Sequence, residues 1–457
     1  MSIHITWEQI ERTFGVSNRI LDSYIERKGI DDRFKEALRG RNIIVVHSSS
    51  KQGKTSLWKK HVDPKDRYPL NCGTITNIED LHTQILKTAG FTITHQTSSS
   101  STQPLIEASI NTGLFGLKSK LGLSQTTATS CEKISLNPAD ANDITNALRE
   151  IHFTGTIIID DFHYLSEETQ DKFTRTLKTF YDDETLEVTF IIVGVWKEAN
   201  RLVVYNGDLS SRIKTINADE WTDEQLRNVI EHGESKLGLQ FEEEFKANLV
   251  HYSEGAVYLL QAACRTACIQ HIGDKYANPQ IVNGDAQVLI KHEIQNQSGR
   301  YEHFITDYSE DDRRQIHHVR KWIIAILISY IRHYPARNFV TLEELKEAVR
   351  ALHPNSNNRT IGSLVTNLSQ NLKNVSKRQQ NIELKPPILS YDQNSHRLNV
   401  VDLGFLIWLR HTSLLTIDEA IGLPNRDGDI ETFIDLLFDA QPISSMESCA
   451  IDRKDLT

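Results

Sequence analysis

The sequence predicts a doubly wound α/β domain with a parallel sheet, followed by a helical lid and a C-terminal winged-helix domain. Three observations carry this. Apolar, largely β-branched runs at 43–46, 157–159 and 188–195 alternate with stretches of helical periodicity. Such strands belong to a sheet covered on both faces. From Thr222 the pattern becomes wholly helical, and from 313 onward three helical stretches precede two short strand-like runs. Helix, helix, helix, hairpin is the order of a winged helix.

With 457 residues the chain exceeds one ordinary core and divides into several domains. Its 39% hydrophobic and 25% charged residues read as globular and soluble. The longest apolar run, Trp322–Ile331, is half the roughly 20 residues of a membrane helix, so a buried helix is expected and no membrane. The N-terminus has no apolar signal core. The five cysteines form no CxxC pair, which fits a reducing cytoplasm. None of the 18 histidines shows metal-ligand spacing. A net charge of −10 argues against a chain coated in nucleic acid and leaves room for a local basic patch.

Taken in order, residues 6–23 read as helix, and Ile30, Phe34, Ala37 and Leu38 mark one face of a second. Residues 42–55, NIIVVHSSSKQGKT, run from apolar strand through polar loop into Gly-Lys-Thr, and a helical pattern follows. The phosphate-loop motif G-x-x-x-x-G-K-[ST] aligns on Ser48, Ser49, Ser50, Lys51, Gln52, Gly53, Lys54 and Thr55, with Ser56 next. Only the first glycine is missing, replaced by Ser48. This is the signature of a P-loop NTPase. Backbone amides from Ser50 to Lys54 cradle the phosphates of ATP, Lys54 neutralises β/γ oxygens, and Thr55 ligates Mg2+. A short strand near 68–74 and a helix at 78–89 follow. Residues 92–138, beginning TITHQTSSSSTQ, read as an insertion: a surface loop with a hairpin or short helices, or a contact element for a partner. A helix at 139–151 leads to the strand ending in Asp160 and Asp161, carboxylates at the end where such sheets bind ligands. A helix at 166–181, the strand at 188–195, and three lid helices from 222 to about 272 complete this half. In the second half, Thr341 and Glu344 form a capping box. Residues 358–379 read as one helix, and two strands flank Asp392–Ser395.

In that order, the loop, the acidic strand, the lid and the winged helix resemble AAA+ and STAND-type ATPases, most of all the origin-recognition-like branch. The resemblance covers about 20–411. It implies an N-terminal helical segment at 1–40, an ATPase core at 41–217, a lid at 218–300, a winged helix at 301–411 and a tail at 412–457. It also implies that Tyr24 and Ile25 flank the adenine, that Asp160 holds the magnesium through water, and that Asp161 orients the attacking water. Arg212, in GDLSSRI, resembles an arginine finger serving a neighbouring subunit. The other reading of Arg212 is an ion pair within its own domain. An ATP-dependent homo-oligomer follows from the finger.

The chain departs from the family in several places. Asp161 stands where glutamate is usual. The strand ending Ile192-Val193-Gly194 lacks the usual polar residue at its tip, with Thr189 or Trp196 as substitutes. The third lid helix begins Gly255-Ala256-Val257-Tyr258 without an early arginine, and Arg265 lies two turns on. These features imply an ATPase that binds well, turns over slowly and acts as a switch on assembly or on a protein partner. Between Arg359 and Lys385, the residues Arg359, Lys373, Lys377, Arg378 and Lys385 outweigh Glu383, a net of +4. That leaves two readings: a DNA-binding initiator or regulator, or a packing module whose basic residues suit a helix C-terminus.

Overall fold

The structure, a computed structural model, describes residues 5–15, 19–40, 42–96, 105–111, 131–198, 201–219, 221–272, 281–310, 319–352 and 359–422. The chain forms two compact units, Met1–Ile290 and Lys291–Thr457.

The first unit opens with α1 (Trp7–Phe14) and α2 (Asp31–Arg39). The core follows as β1 (Ile43–Ser48), α3 (Lys54–His61), β2 (Arg67–Asn71) and α4 (Ile78–Thr88). Three further strands come next, β3 (Phe91–Gln96), β4 (Leu105–Asn111) and β5 (Cys131–Leu136). Then come α5 (Ala141–Glu150), β6 (Gly155–Asp160), α6 (Glu167–Asp182), β7 (Val188–Val195), α7 (Arg201–Tyr205) and β8 (Ile213–Asn217). The segment expected as the lid comprises α8 (Asp223–Leu237), β9 (Gln240–Phe241), α9 (Glu243–Ser253), α10 (Val257–Ile272) and β10 (Ile281–Val282).

The expected parallel sheet has five strands, in the order β2-β6-β7-β1-β8, all pairs parallel. Its strands are apolar on both sides because both sides are covered. Ile43, Val45, Ile157, Ile159, Phe190 and Ile192 point into one core with Leu81 and Ile85 of α4, Leu148 of α5 and Phe173 of α6. Ile44, Val46, Ile158, Ile191 and Val193 point into the other, with Phe34 of α2 and Leu57 and Trp58 of α3. That alternation is the period-2 geometry of a strand. Parallel pairing also puts every strand's C-terminal end at one edge, where ligands meet such sheets.

Several expectations are corrected. The helix expected over 6–23 ends at Phe14: Gly15 is extended, with its N–H on the Glu11 carbonyl. Residues 92–96, expected as loop, belong to β3, which pairs antiparallel with β4, as β4 does with β5. Alternating Thr and apolar residues there outweigh the polar Ser run that follows, most of which lies outside the described residues.

The boundary falls within α11 (Ala286–Gln295), and in the second unit α12 (Ser298–Ser309) precedes α13 (Val319–His333). A strand the sequence reading missed, β11 (Phe339–Thr341), leads into α14 (Leu342–Leu352). The Thr341–Glu344 capping box is formed, Glu344 N–H reaching Thr341 Oγ1 at 3.2 Å and Thr341 N–H reaching Glu344 Oε2 at 2.8 Å. The single helix expected over 358–379 is two, α15 (Arg359–Lys373) and α16 (Val375–Asn381), divided at Asn374. The hairpin β12 (Leu389–Asp392) and β13 (Arg397–Val400) joins β11 in a three-stranded antiparallel sheet, order β11-β13-β12. Then come α17 (Leu403–His411) and α18 (Leu414–Ile421). The tail beyond 422 lies outside the described residues. No helix among the described residues is long and apolar enough to cross a membrane.

Helix α1 is held to the lid by the fully buried Phe14, and a Cβ added at Gly233 of α8 would sit 2.1 Å from its ring. Gly233→Ala is therefore expected to destabilise the first unit by about 1–3 kcal/mol. A urea melt followed by circular dichroism should show a lower midpoint at unchanged slope. An unchanged midpoint would mean that α1 is not seated there.

Candidate phosphate site at the sheet edge

The loop of residues 48–53 lies where β1 gives way to α3. Ser48 still belongs to the strand, in register with Val195. Its backbone is extended, so the glycine usual at this position is not required. The tight turning falls at Lys51 and Gly53, both left-handed, with φ of +61° and +86°. Gly53 meets that geometry without strain. It also stands as N-cap of α3, where no side-chain oxygen satisfies the first amides. A helix N-terminus in that state favours anions.

Lys54 folds back over the loop. Its Nζ donates to Ser49 O at 2.7 Å and Ser48 Oγ at 3.0 Å. Burial pushes its ammonium down to about 8, while Asp219, Asp160 and Asp161 pull it back up. Those carboxylates surround one lysine although they come from two strand ends. Asp160, at the tip of β6, is raised above the usual carboxylate range by burial and then by the Asp161 charge. Its Oδ1 accepts the Asp161 N–H at 2.9 Å. Asp161 is left-handed, with φ of +59°, and its Oδ2 accepts from Asn71 Nδ2 at 2.7 Å. Thr55 and Ser56 occupy the first turn of α3, half-buried. Thr55 hydroxyl and Asp160 carboxylate are hard oxygen donors, which suit Mg2+. Among the described residues no group of three or more His, Cys, Asp or Glu could hold a metal.

Tyr24 and Ile25 are half-buried beside the lid and the far end of α3. The Tyr24 carbonyl accepts from His232 of α8 at 2.9 Å, and its hydroxyl donates to Asp31 at 2.5 Å. Burial and that carboxylate push the phenol well above its ordinary range. Asp31 also takes His61, the last residue of α3, at 2.7 Å. Arg212 is not brought to the loop. It precedes β8, its carbonyl accepts from the first residue of β1, and its guanidinium pairs with Asp182 at 2.6 Å over the Tyr181 ring. The six residues of β1 separate it from Ser48, about 15–20 Å of strand.

Four residues at this edge escaped the sequence reading. Asp219, just past β8, accepts the Ser49 N–H at 2.8 Å. Lys197, just past β7, donates to the same carboxylate at 2.6 Å. Trp221 lies over the loop, its indole N–H on the Gln52 carbonyl at 3.4 Å, and Arg27 stacks on its ring at 4.2 Å. Lys197 is the polar residue at the β7 tip. Thr189 lies at the opposite end, paired with Thr156, and Trp196 is fully buried in the core. The usable signal was position alone: Lys197 and Asp219 each lie two residues beyond a parallel strand. Arg265 is likewise excluded from the site, held by Glu11 and stacked on Trp7 of α1.

No family model and no curated protein matches the chain. Solved structures do. A Walker-type ATPase of Pyrococcus abyssi is 14% identical, over 85% of this chain and 96% of that one, with a TM-score of 0.49. The ORC1 protein of Aeropyrum pernix, solved in complex with DNA, is 12% identical over 88% and 94%, with a TM-score of 0.41. The RuvB Holliday junction branch migration motor of Thermotoga maritima is 13% identical over 83% and 93%, with a TM-score of 0.35.

The depressed Lys54 gives a signed prediction. A phosphate beside the ammonium raises its pKa, so binding above about pH 8 takes up a proton and weakens as pH rises. At about pH 8.5, ATP binding should take up roughly three-quarters of a proton, from the free-state value near 8. Calorimetry in two buffers of different ionisation enthalpy measures this. Equal heats in both would mean that Lys54 keeps its proton in the free protein.

Proposed function

We propose that this chain is an ATP-binding molecular switch of the AAA+/STAND type that hydrolyses ATP slowly to ADP and phosphate. Its nucleotide state governs assembly with further copies or with a protein partner. The observation that supports this most is Lys54 bent over a glycine-hinged loop, within the field of Asp160 and Asp161. Backbone amides of Ser50, Lys51, Gln52, Gly53 and Lys54 receive the phosphates, and Lys54 exchanges its two serine oxygens for phosphate oxygens. Thr55 and Asp160 hold Mg2+, which supplies charge neutralisation across the phosphates. Asp161 orients the attacking water. Its bond to Asn71 fixes its direction, and one methylene less than glutamate shortens its reach, which favours slow turnover. Arg212 lies at the opposite edge from its own loop, so any role at a γ-phosphate is in a neighbouring subunit.

A second reading has its own support. In the second unit, α13, β11, α14, α15 and the β12–β13 hairpin follow the order of a winged helix, and Lys373 and Lys377 are exposed. On that reading Arg359, Lys373, Lys377 and Arg378 of α15 and α16 approach DNA phosphates.

Lys54→Ala is expected to weaken ATP binding by about a hundredfold or more, the scale of losing charge-assisted hydrogen bonds. Wild-type affinity by calorimetry in that variant would remove the loop assignment. Asp161→Asn should bind ATP and lower phosphate release to the Lys54→Ala background. Turnover equal to wild type would give the water to another residue. For the second reading, duplex affinity measured over a salt series should fall steeply with salt, and Lys377→Ala with Arg378→Ala should flatten the slope by about one to two. No binding at low salt would end that reading.

A further inference from the structure

We propose that Gln52 is a positioning residue that fastens the phosphate loop to the lid by capping α10 from across the unit. This rests on the nucleotide-binding reading and names the contact through which an occupied loop reaches the lid.

Helix α10 begins without a cap of its own. Ala256 stands at the N-cap position, its carbonyl accepting from Leu259 at 2.9 Å and Leu260 at 3.1 Å, and alanine has no side-chain oxygen. The turn into it runs through two left-handed residues, Glu254 and Gly255, with φ of +46° and +82°. The first amides of such a helix need an acceptor that Ser, Thr, Asp or Asn would normally supply. Gln52 supplies it. Its Oε1 accepts the Val257 N–H at 3.4 Å, and its Nε2 donates to the Gly255 carbonyl at 3.1 Å. Both ends of the amide are thus used on one turn, some 200 residues away in sequence.

The same residue holds a second lid entry. The Gln52 backbone carbonyl takes the indole of Trp221, which immediately precedes α8. Lys51 lies against Tyr258 of α10, its Nζ 4.7 Å from the ring. Gln52 has 0% relative exposure, so its two bonds to the α10 turn are made out of contact with water. Phosphates drawn onto the amides around Gln52 therefore act on the residue that caps α10. A lid whose arginine is spent on α1 needs such a link.

Hydrogen exchange on the full chain without nucleotide tests this, because a role of Gln52 in holding nucleotide leaves that reading unmoved. Gln52→Leu keeps the volume and removes both bonds. Exchange over 255–262 should rise about fivefold, the scale of a lost helix cap. Ala256→Ser, added to Gln52→Leu, supplies a local cap and should restore the slower exchange. Wild-type exchange in Gln52→Leu would overturn the proposal, and so would failure of Ala256→Ser to slow it. If Gln52→Leu does not fold, Gln52→Ala carries the same expectation. Lys54→Ala separates the two ideas: it should exchange over 255–262 as wild type while losing ATP. If that variant still binds ATP, the loop assignment fails and the cap stands; if its exchange rises, the cap is not Gln52's own.

Discussion

The buried charge of Lys54 is the constraint that organises the edge of the sheet. An ammonium removed from water needs oxygens around it, and here it takes a carbonyl and a hydroxyl of its own loop. Those bonds close the loop on itself. Carboxylates from the ends of β6 and β8 supply the compensating field. Asp219 has a second task, since it holds the Ser49 amide and Lys197 together. The loop is therefore braced from the β8 side by Asp219, which Lys197 from the β7 side holds in turn. A triphosphate bound as proposed would exchange its own oxygens for those that Lys54 already holds.

Parallel topology distributes the chemistry. With all five strands running one way, the loop, Asp160, Asp161, Lys197 and Asp219 share one edge without any sequence proximity. The same rule sends Arg212 to the other edge, beside the start of β1. Its pairing with Asp182 holds it in a fixed direction within its own unit. An arginine so placed does not reach the loop of its own copy.

The strands were legible because burial on both faces leaves runs such as VTFIIVGV with no polar break. The strand-turn-helix at 43–61 was legible because its motif ties residue type to fixed spacing. Asp219 and Lys197 were not, because an acid or a lysine after a strand is common and only the folded edge shows which ones meet. Gln52 was read only as a position of the phosphate loop, since its side-chain contacts depend on a turn at Gly255 far away in sequence. Strand β3 was obscured by the serines that follow it, and β11 by its three-residue length. The division of 358–379 at Asn374 escaped a periodicity that both helices share.

The absent lid arginine acquires a structural reason. Arg265 is engaged by Glu11 and Trp7, so that part of α10 serves to fasten the N-terminal helix. The lid meets the loop instead through Gln52 and Trp221, with Arg27 stacked on Trp221 and bonded to Ala218 at 2.9 Å. A lid cation attracts phosphate directly, and its pull changes with each charge lost on hydrolysis. A neutral amide and an indole respond to the shape of the loop instead. On the proposed reading, a lid held this way follows whether the loop is occupied more closely than how many phosphates occupy it. That property suits a switch that holds one state for long intervals better than a motor that must register each turnover.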